Sequence, residues 1–305
     1  MTRVLIVYYS QSGEAERSAK AFAEGLQSAG ASVVFEALRP RADYPFPWRS
    51  PRRFFDNMPE AMLGLPPEIE TPAFEAEARF DLVVIVYPVW FLSPAPVVQA
   101  FFKSAHAAVL RDADVIAVSV SRNMWHNASE RMKRLLAEAG ARHRDTVAVT
   151  HQGSALLTLV STPRALLFGK SDRLLGVFPR AGVAEDDMGR VRRLGAVAAA
   201  RLADAGASGG PLLAGEPAVA IKRWFVVPEL LAWYFFYAWA QFIRFLGRVH
   251  GGLRAVGVYA FAIFLVCLIL VALPCTLLGT WLAYPVVRRR LDAYIARLAA
   301  PTGLP

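Results

Sequence analysis

The chain opens with an apolar segment, a small polar turn and a helix, in that order. Val4 to Tyr9 is an apolar run of strand length, and it breaks into the turn SQSG at residues 10–13. Glu14 to Gln27 follows with apolar side chains at helical spacing, which predicts a helix. The N-terminus of a helix presents unpaired N–H groups and a partial positive charge, and hydroxyl side chains add donors. The unit therefore predicts either a phosphate site or an ordinary capped strand–helix turn.

The residue types in this turn limit which phosphate-bearing ligands it could bind. The turn contains no Lys and lacks the G-x-x-x-x-G-K-[ST] spacing, so a nucleoside triphosphate is not expected. It also lacks G-x-G-x-x-G, so a dinucleotide is not expected either. A single phosphate, such as that of FMN, suits the turn better.

A second strand-like segment ends in aromatic residues. Asp81 to Tyr87 is a continuous apolar run, as expected for a strand that is buried on both faces of a parallel sheet. It leads into Trp90 and Phe91, which lie between prolines and precede a predicted helix from about Val97 to Ala107. Ligands of open α/β sheets bind at the carboxyl ends of strands, where these rings could stack on a flat heteroaromatic group. The alternative is that the two rings only pack a loop.

The rest of the first two hundred residues continues the alternation of strands and helices. Further strands are predicted over Ser32–Ala37, Ala113–Val120 and Thr146–Thr150. Helices are predicted to end at Ala139, with Asn127 or Ser129 as the cap, and to run over Glu185–Ala205. Five strands that alternate with helices predict an α/β fold with a doubly wound, five-stranded parallel sheet. We expect the flavodoxin-like strand order 2-1-3-4-5.

The two loop motifs resemble a known family. YYSQSG (8–13) and YPVWFLSPAP (87–96) resemble the flavodoxin-like FMN-binding proteins, including flavodoxins and NAD(P)H:quinone reductases, over roughly residues 3–206. The resemblance implies FMN as the cofactor, with the first loop on its phosphate and the later loops around its ring. The implied phosphate residues are Ser10, Gln11, Ser12 and Gly13, with Glu14 and Ala15 at the edge. The implied ring residues are Pro88, Val89, Trp90 and Phe91, and the loop after the fourth strand adds Ser121, Arg122 and Asn123. Glu14 and Ala15 depart from the family pattern, which often has a further Thr or Asn in this part of the loop, and Glu14 brings a negative charge near a dianion.

Two segments are longer than the connections of a minimal domain. Arg39 to Ala78 is rich in Pro, Arg and aromatic residues, and it is too long for an idle crossover. We expect it to form a lid or a substrate rim, since its aromatic content argues against a disordered insertion. Ser154 to Phe178 is the second such segment, and we expect it to contact a substrate, the flavin or a partner.

The carboxyl-terminal part differs from the domain before it. Ala255 to Val287 contains 33 residues without a formal charge, about 50 Å of helix against a hydrocarbon core of roughly 30 Å. One steep membrane span and a re-entrant hairpin bent near Pro274 both fit this length. Basic residues flank the run on both sides, which favours a hairpin that returns to the cytoplasmic face. A buried soluble hairpin fits the uncharged length least well.

A further apolar segment and the charge distribution also indicate a membrane. Trp224 to Ile243 is dense in aromatic residues, which suits the membrane interface, and a first transmembrane helix is the alternative. Residues 221–305 carry +7 of the formal net charge of +9. These charges border apolar helices, which points to anionic lipid and not to nucleic acid. We therefore divide the chain into a cytoplasmic FMN-binding domain (1–206), a linker (207–221) and a membrane-associated helical region (222–305), and expect no signal peptide.

Histidines supply the candidates for proton transfer. His126 and His151 follow the fourth and fifth strands on the expected flavin side, so either could act as an acid or a base, or simply hydrogen-bond a loop. Cys267 and Cys275 both lie in the apolar run, and no spacing indicates a disulfide framework or a metal site.

The functional interpretation follows from the motifs and the tail together. The long loops and the basic, apolar tail favour an FMN-dependent oxidoreductase with a lipid-like or quinone substrate. YYSQSG, STPRALLFGK (161–170) and the tail are similar to proteins assigned to dialkylresorcinol biosynthesis, which implies aromatisation of a lipid-like cyclohexanedione. An NAD(P)H-dependent quinone reductase and a non-enzymatic, membrane-tethered electron carrier remain as alternatives.

Overall fold

A parallel sheet forms the centre of the protein. The computed structural model describes residues 2–42, 44–154, 157–173, 180–205 and 210–299. The strands are β1 (Arg3–Tyr8), β2 (Ser32–Ala37), β3 (Leu82–Trp90), β4 (Ser93–Pro94), β5 (Asp114–Ser121) and β6 (Arg142–Thr150). The order is β2-β1-β3-β5-β6 with parallel pairing throughout, and the two-residue β4 pairs antiparallel with β3. With β4 set aside this is the predicted order 2-1-3-4-5, so the predicted flavodoxin-like fold is confirmed.

Helices cover both faces of this sheet. They are α1 (Glu14–Ser28), α2 (Pro51–Phe55), α3 (Met58–Leu63), α4 (Pro96–Lys103), α5 (His126–Glu138), α6 (Thr158–Phe168) and α7 (Glu185–Ala205). Alternate side chains of β3 enter two different cores, as the period of a strand requires. Val84 and Val86 pack with α1 and α7, whereas Ile85 and Tyr87 pack with α4 and α5.

Three predicted boundaries need correction. The helix predicted to reach Ala107 ends at Lys103, since the Ser104 hydroxyl donates to the Phe101 carbonyl at 2.8 Å, and a 3₁₀ turn follows. The last strand begins at Arg142, four residues before the prediction, because arginines at its start form ion pairs with Asp114 on β5. Neither predicted cap of α5 is used. The helix begins at His126 without a side-chain cap.

Helices α1 and α7 approach each other so closely that only glycine fits at the crossing. A Cβ atom on Gly195 would lie 2.2 Å from the Phe22 carbonyl oxygen, and one on Gly25 would lie 1.9 Å from that of Arg192. Both obstacles are backbone atoms, so neither can move aside without separating the helices.

We therefore expect Gly195→Ala to lower the free energy of unfolding by about 3 kcal/mol, the upper range for overpacking a core. Gly189→Ala is the matched control in the same helix. No atom of the described residues lies within 4 Å of its added Cβ, so this substitution should raise stability by up to about 1 kcal/mol through helix propensity. Urea unfolding followed by circular dichroism measures both, and equal effects would contradict the close approach.

The segment predicted as a linker packs on the domain where it is described. The Asp145 carboxylate accepts the backbone N–H groups of Leu212 and Leu213 at 2.6 and 3.1 Å. The Ala148 N–H donates to the Ala218 carbonyl at 2.9 Å. The side chains of Leu212, Leu213 and Ala218 are buried in the core beside α7. Residues 210–218 are thus part of the α/β domain and not a free tether.

The carboxyl-terminal helices form an antiparallel pair of long arms. They are α8 (Arg223–Val249), α9 (Gly251–Cys267) and α10 (Leu273–Ala299), and a π-helical turn over Leu268–Ala272 joins the last two. The first arm is α8, and the second is α9 with α10. The chain reverses at His250, whose extended backbone breaks the helix and whose side chain accepts the Gly252 N–H at 3.0 Å. The bend expected near Pro274 is wrong, because Gly251–Ala299 is one continuous helical segment. An interior proline lacks the N–H of the helical hydrogen bond and clashes with the carbonyl four residues earlier, here that of Leu270 in the π-helical turn, so the turn is where the helix accommodates Pro274.

This helix pair rests on the long crossover between β2 and β3. Phe236, Ala240 and Phe261 share a buried cluster with Met58 and Met62 of α3. At the turn between α8 and α9, Arg254 contacts Asp56 and Glu60 at 2.7 and 3.0 Å, and Arg244 contacts Glu60 at 3.2 Å. These two arginines, expected to flank a membrane, instead bind carboxylates of the crossover.

The outer side of the pair is apolar and exposed. Gly251–Ala299 is the one helical segment of the described residues that is long and apolar enough to cross a membrane. Only 22% of its most apolar 18-residue window is buried, at a mean hydropathy of 2.9. A core helix of a soluble domain would bury most of this surface, and contiguous exposed apolar surface marks an interaction site.

Candidate functional site

One cavity of about 330 Å³ lies at the carboxyl ends of β1, β3 and β5. The loops that follow these strands form one side of it, and α6 with the carboxyl-terminal helices forms the other. The position between β1 and β3 is the topological switch point of this strand order, where open α/β sheets bind their ligands.

The loop after β1 offers hydrogen-bond donors that have no acceptor. The backbone N–H groups of residues 11–16 donate to no acceptor in the described part of the chain. Gly13 adopts a left-handed φ of 87° where the loop enters α1, and the buried Ser10 hydroxyl has no hydrogen-bond partner among the described residues. Unpaired N–H groups at the start of a 15-residue helix, beside an orphaned hydroxyl, fit a phosphate group.

The Glu14 carboxylate has partners outside this loop. One carboxylate oxygen accepts the Val183 N–H at 3.0 Å, and the other lies near Gly182. Arg17 contacts the same carboxylate at 3.3 Å. Glu14 therefore ties the start of α1 to the segment before α7, and Arg17 offsets part of the negative charge that Glu14 brings to the loop.

An aromatic wall follows β3. Phe91 and Leu92 both adopt left-handed backbone angles, with φ of 49° and 63°, a strained conformation that places the wall at the cavity. Trp90 lies edge-on to Tyr44 and Trp48 of the long crossover, with ring centroids 5.1 and 5.8 Å apart. This packing fixes the Trp90 ring, so the wall is rigid, and Phe54 and Phe55 of the crossover line the cavity beside it.

The loop after β5 adds polar and charged groups. The buried Ser121 hydroxyl lines the cavity and has no hydrogen-bond partner within the part of the chain that the structure describes. Burial lowers the pKa of Arg122 to about 10, and the nearby Glu229 carboxylate opposes this shift, so the side chain is a cation at neutral pH. Asn123 donates to the Thr158 hydroxyl at 3.2 Å and accepts from the Lys222 ammonium group, so it links this loop to α6 and α8.

The structure separates the two candidate histidines. His151 lines the cavity, and its Nδ1 lies 3.4 Å from the Thr162 hydroxyl. Burial, followed by the charge of Arg122, lowers the pKa of His151 to about 4, so the ring is neutral at pH 7. His126 does not line the cavity. Its Nδ1 lies 2.8 Å from Glu229, and both side chains are buried between α5 and α8.

The depressed histidine pKa values give a pH prediction for stability. Burial, and to a smaller extent Lys133, also lowers the pKa of His143 on β6 to about 4. Between about pH 6.5 and 4 the unfolded chain binds protons on His143 and His151 that the folded chain does not, so stability falls as pH falls. Burial raises the pKa of Asp145 to about 6, which opposes the loss below that pH, because there the folded chain binds the extra proton.

We expect His143→Asn to reduce this acid-side slope by about 1.4 kcal/mol per pH unit, the value for one proton. Urea midpoints measured from pH 4 to 7 test it. An unchanged slope would show that His143 titrates normally in the folded protein.

Sequence reasoning missed part of the cavity wall. Helix α6 contributes Leu159, Thr162, Pro163 and Leu166, from the stretch that the sequence singled out but that was expected to be loop. The carboxyl-terminal helices contribute apolar side chains that include Phe225, Leu231, Phe235, Leu265, Ile269 and Leu273. The expected segment extends to Phe178, which lies outside the described residues.

Comparisons with known proteins add little beyond the fold. No family model and no curated protein matches the chain. Similar solved structures include a flavoprotein in complex with FMN from Lactobacillus acidophilus NCFM, with 19% identity over 49% of this chain and 93% of that chain, and a TM-score of 0.39. A WrbA-like flavodoxin protein from Agrobacterium tumefaciens shows 13% identity over 67% and 99%, with a TM-score of 0.37. A flavodoxin from the domain Archaea shows 12% identity over 66% and 99%, with a TM-score of 0.38. These identities and TM-scores are too low to support a function. The assignment of the fold therefore rests on the observed strand order.

Proposed function

We propose that the protein is an FMN-dependent oxidoreductase that works at a membrane. The observation that carries this proposal is the set of orphaned donors at the switch point, namely the N–H groups of residues 11–16 with the Ser10 and Ser121 hydroxyls. Ser10, Gln11, Ser12 and Gly13 would hold the phosphate, with Glu14 and Ala15 at its edge. The ring would lie beside residues 88–91 and 121–123.

Bound FMN supplies a two-electron donor or acceptor. The chain supplies position, charge and proton transfer. Trp90, fixed by its aromatic neighbours, offers a rigid apolar surface. Arg122 brings a buried positive charge that favours negative charge on a neighbouring group. His151 is neutral at pH 7, so one of its ring nitrogens carries no proton and can accept one, and it lies in the same cavity.

The covered cavity favours an enzyme over an electron carrier. A carrier needs an accessible redox group for its protein partner, whereas here α6, α8 and α10 enclose the site with apolar side chains. Such an enclosure excludes water and leaves room for an apolar small molecule beside the cofactor.

The finer proposal is that the substrate is a lipid-like cyclohexanedione, which is aromatised to a dialkylresorcinol. This conversion removes two electrons and two protons from the ring. His151 is the residue placed to take the acidic proton beside a ring carbonyl. The same apolar cavity would also accept a quinone, so an NAD(P)H-dependent quinone reductase is the second candidate.

One experiment separates these activities. FMN-loaded protein is incubated with a synthetic dialkylcyclohexanedione, and resorcinol is measured by mass spectrometry. A parallel reaction follows NADPH oxidation with a quinone. Resorcinol formation that falls by at least about tenfold in His151→Asn supports the aromatase. Steady NADPH oxidation without resorcinol supports the quinone reductase. Flavin binding with neither activity would leave the electron carrier.

Membrane association rests on the exposed apolar surface of α9 and α10. Ile263, Leu270, Trp281 and Leu282 are all more than half exposed, and the exposed Arg288 to Arg290 follow them directly. Arginines at the end of an apolar helix favour the cytoplasmic side, which would place the flavin domain in the cytoplasm. Flotation of the full chain with phosphatidylcholine vesicles in high salt tests insertion. Recovery in the soluble fraction would contradict it.

A further inference from the structure

The cavity has a wall that is one helix thick. The π-helical turn Leu268–Ala272 directs Leu268, Ile269 and Ala272 into the cavity. The two residues between them face the other way, and Leu270 and Val271 are 69% and 63% exposed. π-helical turns inside α-helices are frequent at functional sites. Here the turn separates the interior of the site from the apolar outer surface.

The cavity also opens beside this wall. Leu231 and Phe235 of α8 line the cavity, yet they are 40% and 45% exposed. They therefore lie at a mouth between α8 and the helix formed by α9 and α10. The surface around this mouth is apolar, since Tyr234 of α8 and Leu270 of the π turn are each about two-thirds exposed.

The end of the cavity near this mouth is suited to hydrocarbon. Leu231, Phe235, Leu265, Leu268, Ile269 and Leu273 line it. The nearest hydroxyl from these helices, on Thr276, donates to the Leu273 carbonyl at 2.9 Å. The polar groups of the cavity, including Arg122 and the Ser10 hydroxyl, come from the opposite side, at the ends of the strands. The cavity is thus amphipathic, with its apolar end towards the mouth.

We propose that this apolar end binds the hydrocarbon chain of an amphiphilic substrate, which enters between α8 and the π turn directly from the bilayer. The polar head of the substrate then points towards Arg122 and the strand ends. This inference rests on the proposed function, because it places the head beside the proposed flavin. It adds the residues that hold the hydrocarbon chain and the route by which the substrate enters.

The test is photolabelling of the full chain in phosphatidylcholine nanodiscs with a diazirine-bearing fatty acid. Labelled residues are identified by peptide mass spectrometry. We expect labelling on the cavity side of the π turn, at Leu268 and Ile269, as well as on the exposed Leu270. Ala272→Trp, which fills the apolar end, should reduce labelling of Leu268 and Ile269 by about tenfold, the effect of losing one to two methylene contacts.

Val271→Trp is the matched control, because it adds the same ring to the outer surface of the same turn. It should leave the labelling of Leu268 and Ile269 unchanged. Leu231→Trp repeats the test from the other side of the mouth, and it decides the matter if the Ala272 variant does not fold. Unlabelled cavity residues, or cavity labelling that survives both filling variants, would overturn the proposal.

FMN titration of the same samples keeps this proposal separate from the proposed function. FMN binding without cavity labelling would support the proposed flavin site and contradict the proposed site for the hydrocarbon chain. If both filling variants abolish the cavity labelling but the protein does not bind FMN, the site for the hydrocarbon chain is supported and the flavin site is contradicted.

Discussion

Replacing Ser12 by Asp is expected to raise the Kd for FMN by at least about 100-fold, because it places a carboxylate against a dianionic phosphate. Ser12 lies in the loop whose N–H groups have no acceptor in the described part of the chain. Two like charges about 4 Å apart repel by about 4 kcal/mol near a protein surface, which exceeds the roughly 2.7 kcal/mol of a 100-fold change. The loss should therefore be close to complete at micromolar protein.

Quenching of flavin fluorescence measures this effect. Gln27→Glu is the matched control, since it adds the same charge at the exposed far end of α1, and it should leave the Kd unchanged. Thermal melting of both variants without FMN shows whether the fold is retained. If the Ser12→Asp variant binds FMN as tightly as the parent protein, the phosphate does not bind in this loop.

Replacing Glu229 by Ala is expected to lower the free energy of unfolding by about 3–5 kcal/mol, the effect of removing one member of a buried polar cluster and leaving its partners unpaired. Glu229 is fully buried on α8, and its carboxylate lies 2.8 Å from His126 and accepts the Asn127 N–H at 2.9 Å. Its removal leaves polar groups at the start of α5 without a partner. The carboxyl-terminal helices should then detach from the α/β domain more easily.

An ion pair with one exposed partner, between the same two parts of the chain, provides the control. Arg297 of α10 contacts Glu130 of α5 at 2.8 Å, and Arg297 is more than half exposed. Arg297→Ala should cost less than about 1 kcal/mol, because an exposed partner contributes little to stability. Urea unfolding and limited proteolysis between α7 and α8 measure both variants. Equal costs would contradict the assignment of Glu229 as the main polar anchor of α8.

Local sequence patterns were sufficient for the α/β domain. The strand–turn–helix at residues 4–27 depends on neighbouring residues, so its boundaries were predicted within one residue. The same holds for β2 and α7, which were predicted without error. The strand order followed because short right-handed crossovers leave few topologies.

Long-range pairing could not be predicted in this way. His126 follows a strand end, which made it a candidate base, but its partner Glu229 lies 103 positions later in the chain. The part of the cavity wall that the carboxyl-terminal helices form was missed for the same reason. An uncharged run shows that a helix is apolar, yet it does not show which side faces the protein, because every side is apolar. Leu268 and Leu270 look alike in the sequence, and only the fold places one inside the cavity and the other outside.

The most direct test of the account is a titration of the purified full chain with FMN and, separately, with riboflavin. The account predicts a flavin absorbance spectrum that stays with the protein on gel filtration and is bleached by dithionite. It also predicts that riboflavin, which lacks the phosphate, binds at least about 100-fold more weakly, since the loop at residues 10–15 supplies much of the affinity. A protein that stays colourless with both compounds, or that binds both equally, would contradict it.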